Sequence, residues 1–246
     1  ITIPNSVTSI GSEAFKGCTG LTKINWNAES VSDFVDSRGY SYDVFSNSGT
    51  AEDGIDVVFG DNVKSIPAYA FRNVSSIKSV TIGNSVTSIG YAAFRGCTGL
   101  TSITIPDSVT RIGSSTFENC TGLTSITIPD SVTSIGDSAF RGCTGLTKIN
   151  WNAESVSDYS TSVFSNAGTA GDGIDVVFGD NVKSIPEYAF HSVSSIKSVT
   201  IGKNVTNIGS CAFMNCTAIS ADFVCPDNIE SIGSSAFDGT AWYNAQ

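Results

Sequence analysis

The sequence predicts a solenoid: about ten coils of short parallel β-strands and turns, stacked along the whole 246-residue chain. Three observations predict it. First, the pattern Val-Thr-x-Ile-Gly-x-x-x-Phe-x-x-Cys-Thr-Gly-Leu-Thr-x-Ile-x-Ile-Pro returns every 23 residues, with its phenylalanine at Phe94, Phe117 and Phe140. The same slot recurs at Phe15, Phe45, Phe71, Phe164, Phe190, Phe213 and Phe237, giving ten copies. Second, the chain is 40% hydrophobic but only 15% charged, with 24 glycines and one methionine. Val, Ile, Thr and Gly suit strands and tight turns, whereas long helices need Ala, Leu, Glu, Lys and Met. Third, no linker separates the copies, so residues 1–246 read as one domain.

The copy around Phe117 shows how a coil is made. In Leu-Thr-Ser-Ile-Thr-Ile-Pro, Ile103 and Ile105 are two apart and share one face of a strand, while Ser102 and Thr104 point to solvent. Pro106 and Asp107 end that strand, because Pro offers no ladder donor and Asp favours turns. Val109 and Ile112 form a second short apolar stretch. Gly113 then marks a corner; its slot holds Gly11, Gly90, Gly136, Gly209 and Gly233, or Pro67 and Pro186. Phe117 follows, and Cys-Thr-Gly turns the chain back to the next strand. Coils of about three sides stack roughly 4.8 Å apart, so like side chains pile into columns. One copy buries too little to offset its own ordering entropy, so folding depends on neighbours.

Two copies are longer, near 25–60 and 150–179. Both carry Ile-Asn-Trp-Asn-Ala-Glu-Ser-Val-Ser-Asp, at 24–33 and 149–158. Both close on Asp-Gly-Ile-Asp-Val-Val-Phe-Gly-Asp-Asn-Val-Lys-Ser-Ile-Pro, at 53–67 and 172–186. A higher-order duplication of about five repeats therefore underlies the chain. The segments between these motifs, 34–52 and 159–171, differ, and insertions in repeat proteins map to surface loops that often carry specificity. The chain opens inside a copy at Ile1 and closes abruptly after Trp242 and Tyr243, so it reads as a piece of a longer protein.

The pattern Ile-Gly-x-x-Ala-Phe-x-x-Cys-x-x-Leu-x-x-Ile-x-Ile-Pro, carried best by 89–106 and 135–151, resembles the BspA-like (Treponema pallidum-type) leucine-rich repeat. The resemblance implies an α/β-class leucine-rich-repeat solenoid, right-handed, with short parallel strands, turns and short helical or 3₁₀ segments. It also implies an extracellular or cell-surface bacterial protein, or one of mucosal protists, acting in adhesion to host or other microbes. The two long copies depart from the regular pattern.

The formal net charge of −10 disfavours nucleic acid and anionic membrane surfaces, and no apolar run approaches the ~20 residues of a membrane span. Five of the seven cysteines, Cys18, Cys97, Cys120, Cys143 and Cys216, share one slot, three after the Phe. Val74, Val193, Ala167, Ser48 and Thr240 fill it elsewhere, so it reads as a small buried site holding a reduced column. Adjacent coils give parallel Cβ vectors, a poor geometry for disulfides. Cys225 falls at an inward strand slot and reads as buried. Cys211 falls at a slot that looks partly exposed and is the expected reactive thiol. No paired spacing implies a zinc site, and Asp53, Asp56, Asp61 and Asp172, Asp175, Asp180 lack a calcium-loop pattern. His191, the single histidine, occupies a variable surface slot, and no nucleophile has a base with an orienting partner. No enzyme activity, metal or cofactor is expected.

Trp26 and Trp151 sit at inward slots and read as core. The outward slots run Lys23/Asn25, Asp56/Val58, Ser79/Thr81, Ser102/Thr104, Ser125/Thr127, Lys148/Asn150, Asp175/Val177 and Ser198/Thr200. This strip is small and polar at its centre and charged at its flanks, which fits a broad protein or glycan surface. The function expected is a non-enzymatic adhesion or interaction module meeting host or microbial macromolecules through this strip and the inserted loops. The alternative is a stalk that spaces other domains and binds nothing itself.

Overall fold

A computed structural model of the chain describes residues 1–50, 53–156 and 163–245. In chain order the strands are β1 (Thr2–Ile3), β2 (Lys23–Trp26), β3 (Ile55–Phe59), β4 (Ser65–Ile66), β5 (Ile77–Thr81), β6 (Ser88–Ile89), β7 (Ser102–Thr104) and β8 (Arg111–Ile112). They continue as β9 (Ser125–Ile128), β10 (Ser134–Ile135), β11 (Lys148–Trp151), β12 (Ile174–Phe178), β13 (Ser184–Ile185), β14 (Ile196–Thr200), β15 (Asn207–Ile208) and β16 (Ser231–Ile232), before one helical turn, α1 (Ala241–Asn244). All pairings between these strands are parallel.

The strands form two columns. The longer ones run β1-β2-β3-β5-β7 and then β9-β11-β12-β14. The two-residue ones run β4-β6-β8-β10 and then β13-β15-β16. The second apolar stretch of each coil is thus itself a short strand, with Ile66 beside Ile89, Ile89 beside Ile112 and Ile112 beside Ile135.

Like stacks on like, as the period demands. The ten slot phenylalanines make one unbroken column from Phe15 to Phe237, with consecutive ring centroids 5.0–5.7 Å apart and planes within 3–23°. Val63, Val86, Val109 and Val132 stack as a second, fully buried column. Trp26 and Trp151 are both 0% exposed, as their inward slots require. The Trp151 indole N–H donates to the Ala153 carbonyl at 3.1 Å, whereas that of Trp26 has no partner among the described residues.

The third side corrects one expectation. Instead of short helical or 3₁₀ segments it is made of turns, and α1 is the only helix among the described residues. Left-handed backbone is the reason. The slot two before the Phe has φ of 50–61° at Glu13, Tyr69, Ala92, Ser115, Ser138, Tyr188, Cys211 and Ser235. The slot two after has φ of 55–77°, filled by Gly17, Asn47, Asn73, Gly96, Asn119, Gly142, Asn166, Ser192, Asn215 and Gly239. A left-handed residue every fourth position cannot continue a right-handed helix. It does turn alternate N–H groups toward the next coil: Ala92, Phe94 and Gly96 donate to Ser114, Thr116 and Glu118 carbonyls at 2.8–2.9 Å. The N–H groups between them fold back three residues, as Arg95 does to Ala92 at 3.2 Å. Coils are therefore hydrogen-bonded to each other on all three sides.

The corner glycines also have a reason beyond turn formation. A Cβ on Gly113 would lie 2.8–2.9 Å from backbone atoms of Ile89, Gly90 and Tyr91, and one on Gly136 would lie 2.4 Å from the Ser114 nitrogen. Successive coils touch here backbone to backbone. Pro67 and Pro186 occupy the slot where the preceding coil is one of the long copies. Beside Pro67 the chain takes another path, and the Ala68 N–H donates to the Asp33 carboxylate at 2.7 Å.

The inserted segment 34–52 is not all surface. Phe34 is 0% exposed, packs 6.2 Å from Trp26 and donates its N–H to the Ala68 carbonyl. Its counterpart at 159 and neighbouring positions of the second segment, 159–162, lie outside the described residues, as do 51 and 52 of the first.

Candidate binding face

The ladder register places the predicted strip on one face of the longer-strand column. Lys23 lies beside Asp56, Asp56 beside Ser79, and Ser79 beside Ser102; the second row runs Asn25, Val58, Thr81, Thr104. After a break between β7 and β9, Ser125, Lys148, Asp175 and Ser198 continue the first row, and Thr127, Asn150, Val177 and Thr200 the second. Each of these side chains is exposed or half-buried, while Ile24, Val57, Val80, Ile103, Ile126, Ile149 and Val176 between them are buried. The Asn150 amide donates across the ladder to the Thr127 hydroxyl at 3.2 Å.

Two equivalent charged clusters flank the hydroxyl-rich centre. Asp56 accepts from the Ser79 hydroxyl and lies 3.7 Å from the Lys78 ammonium. Asp175 accepts from Ser198 and lies 3.6 Å from Lys197. Lys78 and Lys197 escaped the sequence reading. Both bulge out of the ladder, because Ile55 pairs with Ile77 and Asp56 with Ser79, leaving Lys78 unopposed; β12 and β14 repeat this at Lys197. The signal was present in Gly-Ile-Asp, where one residue fewer separates the inward Ile from the outward Asp than in Leu-Thr-Ser. Such exposed pairs are worth ~0–1 kcal/mol each, so they leave the lysines available to a ligand.

At the strand ends beside the β7–β9 break lies a cleft of about 450 Å³, lined by Thr104, Thr127, Asp107, Asp130, Asn152 and Asn181 among others. The first inserted segment forms a small hairpin pairing Val35 with Ser41. Asp36 organises it, accepting from the Arg38 guanidinium and from the backbone N–H groups of Arg38 and Tyr40. The Arg38 side chain, and after it the Tyr40 N–H, hold the Asp36 carboxyl below its ordinary pKa. Arg72 of the next coil ties the hairpin down through Asp43 at 2.9 Å and lies over the Tyr69 ring. Tyr40, 68% exposed, stands at its tip.

All seven cysteines are free. Cys97, Cys120, Cys143 and Cys216 form the expected buried column, and each thiol donates to the Phe carbonyl of the preceding coil at 3.0–3.2 Å. Cys18 corrects the reading: it is exposed, and among the described residues no Phe carbonyl of another coil lies over its thiol. Cys225 is half-buried rather than buried, because no strand forms around it. Cys211 is half-buried on a left-handed residue. Burial pushes the Cys120 and Cys216 thiols up to about 12, and those of Cys97 and Cys143 well up too. A thiol-specific aromatic disulfide at pH 8 is therefore expected to label Cys18 and Cys211 quickly in the folded chain. The four column thiols should react only after denaturation. Fast labelling of Cys120 would break the column.

His191 is half-buried with its ring 6.0 Å from Tyr188. Among the described residues no three acidic, His or Cys side chains converge as a metal site, so the two Asp triplets do not come together. No helix among them is long and apolar enough to cross a membrane.

Comparison with known proteins agrees with this geometry. The model of the BspA-type leucine-rich repeat region matches residues 1–38, 40–170 and 173–244 in six copies. A leucine-rich repeat protein from Bacteroides ovatus ATCC 8483 superposes with a TM-score of 0.55 at 23% identity, covering 97% of this chain and 75% of that one. One from Eubacterium ventriosum ATCC 27560 superposes with a TM-score of 0.53 at 19% identity, covering 98% and 82%. At these identities the two structures speak for the fold alone. No curated protein matches the chain.

Proposed function

Because the chain belongs to the BspA-type leucine-rich repeat family, we propose that it is a non-enzymatic interaction module of a bacterial cell surface. Its outward strip meets proteins or glycans of host or neighbouring microbial cells. The observation that carries this reading is the strip itself. A hydroxyl-rich centre, Ser79 to Thr127, is bracketed by two copies of one Lys–Asp–Lys–Ser arrangement. A flat face of short side chains presents many hydrogen-bonding groups at low ordering cost, and the paired lysines at its flanks add charge that orients a partner. Lys23 and Lys148 are exposed and enter no ion pair among the described residues, so they are the first contacts to test.

The test is adhesion of the fluorescently labelled chain to epithelial cells and to intact bacteria. The Lys23→Glu/Lys148→Glu double variant is expected to lose binding at least about tenfold with an unchanged melting temperature, since both side chains are exposed. Equal retention of wild type and variant, or no retention of either, would favour the stalk.

A further inference from the structure

We propose that the outer edge of β14 is a second binding site, one that takes an extended peptide strand by adding it to the sheet. The inference is independent of the outward strip. In the coils before it, each longer strand is followed by another in the same ladder except at the β7–β9 break, where the Thr124 N–H still donates to the Thr101 carbonyl at 3.2 Å. After β14 this stops. From Leu100 to Pro106 a strand segment takes six steps, and from Ile196 to Gly202 also six; from Ile219 to Pro226 it takes seven. The extra residue closes a turn, with the Phe223 N–H donating to the Ser220 carbonyl at 3.1 Å and the Asp222 N–H to the Ser220 hydroxyl at 3.1 Å. The segment bows off the sheet, and Phe223 packs 5.5 Å from both Phe237 and Trp242 instead.

What remains is a groove of about 450 Å³ between β14 and the bowed segment, floored by Val199 and Ile201 and walled by Phe223 and Val224. Val199 and Ile201 are half-buried, whereas their equivalents Val80 and Ile82 are buried under the next coil. Val224 is 80% exposed. Among the described residues, the side of β14 facing away from β12 makes no ladder hydrogen bond. An open strand edge above an apolar floor is the arrangement that captures peptides by strand addition. Continuity with the existing ladder fixes the occupant: a short segment of another protein, running parallel to β14. Two apolar side chains two residues apart enter the groove, and small polar ones face out. Main-chain bonds supply affinity, and the spacing supplies selectivity.

The probe is the labelled peptide Thr-Ser-Ile-Thr-Ile-Pro, the sequence of residues 101–106, titrated with the full chain and followed by fluorescence anisotropy. Saturable binding is expected. N-methylation of one alternate set of peptide amides should weaken it at least about tenfold, and methylation of the other set should leave it nearly intact. Val199→Lys should abolish it. Deleting Ala221 restores the six-step spacing, lets the chain fill its own edge, and should also abolish it. Absence of saturable binding, equal loss with both methylated sets, or full binding by V199K would overturn the proposal. The peptide arms need no variant to fold.

Discussion

Replacing Phe117 with alanine is expected to destabilise the chain by about 4 kcal/mol. The ring is 0% exposed and stacks on Phe94 at 5.6 Å and on Phe140 at 5.3 Å. Its removal takes away the burial of an aromatic side chain and two stacking contacts at once. It leaves a cavity walled by rings that cannot close up, because each is held by its own coil. A solenoid passes stability between neighbours, so the loss should reach the coils on either side. The measurement is urea unfolding followed by far-ultraviolet circular dichroism. Phe15→Ala, at a half-buried ring with one stacked neighbour, should cost distinctly less. Equal costs at the two positions would mean that the rings do not act as a column.

Gly113→Val is expected to cost about 3 kcal/mol or more, by forcing apart two coils at a backbone-to-backbone contact. The clash partners, Ile89, Gly90 and Tyr91, are main-chain atoms within 2.9 Å of the new Cβ, and no rotamer change relieves them. Gly11→Val serves as the control, since that slot has open space around its Cβ. If both glycines tolerated valine equally, close approach of the coils would not be why glycine recurs there.

Much of this architecture was legible in the sequence because it follows from periodicity. Phe94, Phe117 and Phe140 recur at a fixed interval, and a fixed interval can be buried only by stacking. Ile103 and Ile105 alternate with Ser102 and Thr104, which fixes both the strand and its outward face. The third side was harder to read, although its signal was there. Asn73, Asn119, Asn166 and Asn215 alternate with Gly96, Gly142 and Gly239 at one slot, and Asn and Gly are the residues that tolerate left-handed backbone. The preceding slot hides the same conformation under Glu13, Tyr69 and Ala92, which carry no such preference. Only the inter-coil hydrogen bonds show why it persists.

The candidate face divides similarly. Alternation placed Lys23, Asp56 and Lys148 on the strip. Lys78 and Lys197 joined it through a bulge created by one missing residue on the neighbouring strand, a relation between two coils that no single repeat displays. The bowed segment at 219–226 is the reverse case. Phe223 and Cys225 keep an alternating pattern, but one extra residue costs them the ladder. Single-residue length changes are therefore the informative departures in this chain, because a period-2 pattern survives substitution and does not survive a shift.

The fold stands on coils stacked one strand spacing apart from β5 to β14, across the break between β7 and β9. Pulsed electron–electron resonance between spin labels on the outward slots tests it most directly. Ser79 and Ser198 are five coils apart, four of the steps being ladder pairs and the fifth, Ser102 to Ser125, crossing the break, which at the strand spacing is about 24 Å. Ser102 and Ser198, four steps apart, should give about 19 Å. Narrow distance distributions that lengthen by about one strand spacing per coil are the predicted result. Broad distributions, or distances that do not scale with the number of coils between the labels, would contradict it.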